Sequence, residues 1–148
     1  MKPERVRVIA ICVFRNGNKI LACEGYDVVK QQMYYRPLGG TIQFGEYSHQ
    51  AVAREIQEEI NAEVTDLQYL GTLENIFIYE GQKGHEIVQV YDGRFVDESL
   101  YEKQVILGVE KTAPFRAVWV DLDKTGNGYP PLYPSGLLEL LKTMKIPA

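Results

Sequence analysis

An α/β domain, with a mixed sheet and helices on both faces, is the fold that the order of elements predicts. Three observations carry this. Val6 to Phe14 is a nearly continuous apolar run that suits a central strand. Ala51 to Ile60 confines its apolar side chains to one arc of a helix. Gly136 to Met144 closes the chain as a leucine-rich helix. Strands, a helix, more strands and a final helix imply a layered sandwich.

Each element has a local reason. Asn16-Gly17-Asn18 is a turn signal after the first strand, and Lys19 to Cys23 returns as its hairpin partner. Met33 to Leu38 reads as a short extended piece leading into Gly39-Gly40. Ser48 is expected to be the N-cap of the helix. Val52, Ala53, Ile56 and Ile60 fall between about 60° and 160° on a wheel centred on Glu55, so that face should pack on the sheet. Strands are then expected at Leu67–Asn75, with Ile76–Tyr79 continuing it, and at Glu86–Phe95 after a Gly81–Gly84 turn. Ala117–Leu122, carrying the single Trp119, is a further strand. Leucines 137, 138, 140 and 141 of the last helix should cover the sheet.

The chain has 148 residues, enough for one domain with a substantial core, here taken as residues 1–148. No apolar run approaches the roughly 18 residues of a membrane span. The opening MKPERVRVIA has charge but no apolar export segment, so a cytoplasmic protein is expected. Cys12 and Cys23 fall on neighbouring strands, and free thiols are the expectation. A net charge of −4 with no Lys/Arg cluster argues against a nucleic-acid polymer as partner.

The chemistry concentrates between Gly40 and Glu59, where Gly40, Glu46, Arg54, Glu55, Ile56, Glu58 and Glu59 are spaced G-x5-E-x7-R-E-I-x-E-E. On the wheel, Glu58, Glu55 and Glu59 sit at about −60°, about 0° and about +40°. Glu55 and Glu59 are like-charged i,i+4 neighbours, an arrangement that costs a bare helix a few tenths of a kcal/mol. A hard divalent cation would turn that cost into binding, because Mg²⁺ takes oxygen ligands and bridges carboxylates to phosphates. A solvated acidic helix face is the bland alternative; the glycines, Glu46 and Arg54 in register weigh against it.

The run GGTIQFGEYSHQAVAREIQEEINA resembles the signature of the Nudix (MutT-like) hydrolases, which cleave a diphosphate linked to another group. Asn61 stands at the family's glycine after the second Glu pair, and Asn can make the same left-handed helix end. Ala62 fills the aliphatic position after it, Pro37-Leu38 stands where Leu-Pro is usual, and Gln43 replaces a frequent glutamate. The resemblance implies the Nudix α/β/α sandwich and a Mg²⁺ cofactor, with Mn²⁺ as a substitute. It implies metal ligation by Glu55, Glu59 and Glu58 with the Gly39 carbonyl, and one glutamate, Glu55 or a loop acid, to deprotonate the attacking water. Arg54 would orient the glutamates and reach Glu46, where a plain surface ion pair is the alternative. Gly39 and Gly40 would allow close backbone approach.

Outside that run, Glu86 and Glu110, read as loop or strand-start residues, are candidates for a further acid. Arg36 is a candidate phosphate clamp or packs over Tyr34 or Tyr35. His85 is a candidate phosphate contact, with an ordinary surface histidine as the alternative. The expected partner is a small nucleotide-type diphosphate; a homodimer is allowed by analogy, and no residue requires it. Residues 63–90 contain no proline, which argues against the ADP-ribose subclass, and the marks of the coenzyme A and NADH subclasses are absent. Tyr79, 17 positions after Ala62, hints at dinucleoside polyphosphates, while an oxidised nucleoside triphosphate stays open. The competing class is a Nudix-fold nucleotide-binding module without turnover. The isomerase branch of the superfamily has no support in the sequence.

Overall fold

β1 (Arg7–Asn16) alternates its side chains between two separate cores. Ala10, Cys12 and Phe14 enter one, and Ile9, Ile11 and Val13 enter the other. A strand buried on both faces must be apolar throughout, as the run in the sequence is. The computed structural model describes residues 4–143. After β1 follow β2 (Lys19–Asp27), β3 (Gln32–Arg36), β4 (Leu38–Thr41), α1 (Ser48–Ile60), β5 (Val64–Tyr79) and β6 (Gln82–Phe95). β7 (Val105–Glu110), β8 (Ala113–Asp121) and α2 (Leu137–Thr143) complete the described elements, with short 3₁₀ turns at Glu98–Glu102 and Leu122–Lys124.

The strands run β5-β6-β1-β2-β8-β7, with β4 added on β1 and β3 on β2. β1 is parallel to β6 from Arg7 to Phe14, whereas the other pairings are antiparallel, so the sheet is mixed as expected. β1 and β2 pair only at Arg15↔Ile20 and Asn16↔Lys19, beside their turn. Beyond that point they part, with β1 taking β4 and β2 taking β3 and β8. Pro37, which has no N–H to donate, stands where the chain crosses from β3 to β4. The two halves of the sheet therefore diverge and leave an opening between them.

α1 inserts Ala51, Val52 and Ile56 into the core on one side, where Phe14 stacks on Phe95 at 3.8 Å. α2 covers the opposite side with Leu137 and Leu141. Burying a side chain of this size stabilises by about 1.5–3 kcal/mol. Asp27 ties two hairpin tips together. One of its oxygens accepts from the Val29 and Lys30 amides, and the other accepts from the Glu80 amide at 3.1 Å.

Several expectations change. Ser48 is the first helical residue rather than the cap; Tyr47 is the N-cap, its N–H taken by the Gln50 side chain at 2.9 Å. The Ser48 hydroxyl is diverted to the Tyr91 hydroxyl. Ala53, expected on the packed face, is exposed. The β5–β6 turn is the pair Glu80-Gly81, both at positive φ, rather than Gly81–Gly84. β5 is a single strand with two bulges. Met33–Leu38 divides into β3 and β4, and β8 begins at Ala113 instead of Ala117. β7 was not expected at all, so Glu110 ends a strand and does not lie in a loop. Glycine in VILGVE weakens the strand signal, yet Gly108 is needed: a Cβ there would come within 2.7 Å of the Glu59 carbonyl oxygen. Asn61 does adopt the left-handed end, at φ 54° and ψ 45°. Met144 lies outside the described residues.

Candidate active site

The helical wheel already separates the fates of the three glutamates. Glu59 lies only about 20° from the buried Val52, so it is drawn inward. It is 7% exposed, whereas the Glu58 side chain is 58% exposed. Glu55 lies between, its carboxylate directly over Gly40. A Cβ on that glycine would stand 2.5 Å from the Glu55 carboxyl carbon. Gly40 leaves room for the helix carboxylate to lie close over the β4 backbone; a side chain there would displace the end of Glu55.

Arg54 fastens this face to the preceding loop. Its Nε and Nη2 donate to the two Glu46 oxygens at 2.8 and 3.0 Å. Nη2 also donates to the Thr41 carbonyl at 3.0 Å. Nη1 donates to Glu55 Oε1 at 2.9 Å and to Glu58 Oε2 at 3.2 Å. Planar, forked donation of this kind suits arginine and not lysine. The Arg54 guanidinium, with the Gln43 amide, holds the Glu46 carboxyl down to about 2. The sequence left a choice between an orienting role and a surface ion pair for Arg54. It donates five bonds that span β4, the loop and α1.

Glu59 has the opposite environment. Burial first, then the charges of Glu55 and Glu110, push its carboxyl up to about 8; the Gly39 amide and Arg36 offset this in part. Its Oε1 is buried and has no hydrogen-bond partner among the described residues. Such an oxygen, beside Glu55 and within electrostatic reach of Glu110, is a donor set for a hard cation. Among the described residues, no three Asp, Glu, His or Cys side chains converge tightly enough to hold an ion as they stand. Arg54 engages Glu55 and Glu58 in this arrangement.

Beside this face lies a pocket of about 360 Å³ in the opening between the sheet halves. Tyr34 and Arg36 of β3 form one wall, Phe77 and Tyr79 of β5 another, and Arg7, Asn75 and Glu86 line it from β1, β5 and β6. Tyr34 meets Tyr79 edge-on at 6.0 Å and Tyr133 at 5.4 Å, closing the aromatic side. Burial and the Tyr34 hydroxyl raise the Tyr79 phenol. Arg36 and Glu110 line the pocket and also act on Glu59, so the pocket and the acidic face are continuous.

The structure thus gathers Glu46, Arg54, Glu55, Glu58, Glu59, Gly39 and Gly40 on one face, with Arg36, Tyr79, Glu86 and Glu110 in the adjoining pocket. Glu86 is 4% exposed and faces Arg7 at 3.5 Å, so it is no surface acid. His85 is half-buried within β6, one position out of phase with Glu86, and does not line the pocket. Sequence reasoning passed over Arg7 and Asn75. Asn75 shares its strand phase with Leu73, Phe77 and Tyr79, so an unbroken reading of β5 would have flagged a polar residue on an inward face. Cys12 and Cys23 are free thiols. Among the described residues, no helix is long and apolar enough to cross a membrane.

The fold has solved counterparts. A MutT NUDIX hydrolase from Burkholderia pseudomallei is similar at a TM-score of 0.67 and 21% identity, over 95% of this chain and all of that one. The E. coli ORF135 protein matches at a TM-score of 0.59 and 20% identity, over 95% and 91% of the two chains. An ADP compounds hydrolase matches at a TM-score of 0.54 and 19% identity, over 79% and 58%. At these identities the likeness shows the fold, an α/β sandwich, and no curated protein matches the chain. The NUDIX domain family model matches residues 3–137, spanning the acidic helix, both sheet halves and the pocket, and the chain accordingly belongs to the NUDIX domain family.

Proposed function

We propose that this protein hydrolyses a diphosphate bond in a nucleoside diphosphate linked to another moiety, with a divalent cation, Mg²⁺ or Mn²⁺, bound at the α1 carboxylates. The observation that carries this reading is Glu59: a buried carboxylate with an unpartnered oxygen, beside Glu55 and at the rim of a pocket of nucleotide size. The name of the similar ADP compounds hydrolase supports a nucleotide-type substrate.

The cation, when bound, would neutralise diphosphate charge and make a coordinated water acidic. Glu59 and Glu55 would hold it, with Glu58 and the Gly39 carbonyl alongside. Arg54 fixes the Glu55 carboxylate over Gly40, so little reorganisation remains when substrate arrives. Arg36, which lines the pocket, would bind a phosphate oxygen. Glu55 or Glu110 would take the proton from the attacking water. The aromatic rings of Tyr34 and Tyr79 would offer packing surface to a base.

A phosphate-release screen over nucleoside triphosphates, dinucleoside polyphosphates, sugar nucleotides and ADP-ribose tests this, with Mg²⁺ or Mn²⁺. Turnover of one class that collapses in Glu59→Gln is expected. Silence across the panel would move the weight to a binding module without turnover.

A further inference from the structure

We infer that the pocket reads the exocyclic amino group of a nucleobase through Asn75 and Glu86. This rests on the reading above, in which a nucleotide occupies the pocket. Asn75 and Glu86 are directly opposed in the β5–β6 ladder, and Glu86 is paired in register with Arg7 of β1. Neighbours in register point to the same face, so the three form one row across the sheet. All three line the pocket.

Two of the three, Asn75 and Glu86, are buried and short of donors, whereas Arg7 at the edge of the row is exposed. Asn75 and Glu86 are each 4% exposed, yet Asn75 Oδ1 has no hydrogen-bond partner among the described residues. Among the described residues, the Glu86 carboxylate accepts only from Arg7 Nη1, at 3.5 Å, long for a charge-assisted bond. The good bond of that arginine goes elsewhere, from Nη2 to Thr41 Oγ1 at 2.8 Å. Buried acceptors left unpaired are costly, and a ligand that donates to them recovers that cost. Phe77 and Tyr79 extend along β5 from Asn75, and Tyr34 meets Tyr79 edge-on, so the pocket offers aromatic surface against which a planar ring can pack.

Among nucleobases, adenine, cytosine and guanine present an amino group with two hydrogens. Asn pairs with the amino edge of adenine, and a carboxylate accepts from the cytosine amine. Uracil and hypoxanthine offer one ring N–H beside carbonyl oxygens, which would meet the Glu86 oxygens acceptor to acceptor. The Asn75 amide can turn over to donate; the Glu86 carboxylate can only accept. Glu86 therefore sets the sign of the preference and Asn75 strengthens it.

Calorimetric titration of the full chain with AMP, GMP, IMP, CMP and UMP, in chelator, tests this without reference to turnover. IMP is the decisive ligand, since it lacks the amine of both purine counterparts. The better of AMP and GMP should bind about ten- to a hundred-fold more tightly than IMP, and CMP should exceed UMP. Asn75→Leu and Glu86→Gln should flatten the preference, with thermal melts confirming that the variants fold. The wild-type comparison stands without them. Equal affinity for amino and oxo bases, or no binding of any monophosphate, overturns the inference. Turnover of triphosphates regardless of base would leave the hydrolase reading intact while removing this one. A base preference in binding without turnover would do the reverse.

Discussion

On the proposed reading, Glu59 would tie protonation, folding and metal binding together at a single carboxylate. Its carboxyl is raised from 4.5 in the open chain to about 8 in the fold, burial being the largest cause. Between those values the unfolded chain loses a proton that the folded chain keeps. The metal-free protein should therefore lose stability as pH rises through that window, with no further loss above it. Glu59→Gln should remove the slope and, at pH 8.5, stabilise the metal-free protein by on the order of a few kcal/mol. Saturating Mg²⁺ should flatten the wild-type profile. Chemical denaturation across pH with chelator or Mg²⁺ reads all three, and a wild-type profile that is flat in chelator would contradict them. Arg54 makes the second residue-scale prediction. Removing its forked donors in Arg54→Ala frees Glu46, Glu55 and Glu58 together, and metal affinity should fall about 10- to 100-fold. Arg54→Lys should recover little of it, because an ammonium cannot reproduce the fork.

At the scale of elements, β4 places two adjacent glycines with different tasks. A Cβ at Gly39 would stand 2.1 Å from the Ala10 carbonyl oxygen, in a backbone at φ 150°. Gly39→Ala should therefore cost about 1–3 kcal/mol of stability, because the backbone of β1 must shift. At Gly40 the obstacle is only the end of the Glu55 side chain. Gly40→Ala should leave the melting temperature nearly unchanged while reducing turnover by up to about 100-fold through a displaced carboxylate. Thermal melts and turnover, measured on both variants, separate the two roles. The helix carrying Glu55 was legible in the sequence because its apolar arc and acidic arc share one period. Its first turn was not, since Gln50 took the capping task expected of Ser48. β7 escaped because Gly108 dilutes the strand pattern at the residue that lets α1 approach.

At the scale of the whole molecule, divergence of β1 and β2 makes both the pocket and its junction with α1. The mixed sheet and its two flanking helices were legible, because strand runs and amphipathic arcs are local properties. The pocket was not, because it depends on pairings between distant segments: Asn75 with Glu86, and Glu86 with Arg7. The seven-position spacing exposed the acidic face, while the residues that line the pocket follow no fixed spacing. Central to the whole account is a divalent cation held at Glu59. Its most direct test is a calorimetric titration of Mn²⁺ into wild type and Glu59→Gln near pH 7, repeated in buffers of different ionisation enthalpy. The wild type should bind one site with release of close to one proton, and the variant should bind far more weakly and release none. Equal Mn²⁺ affinity in the two proteins would contradict the account.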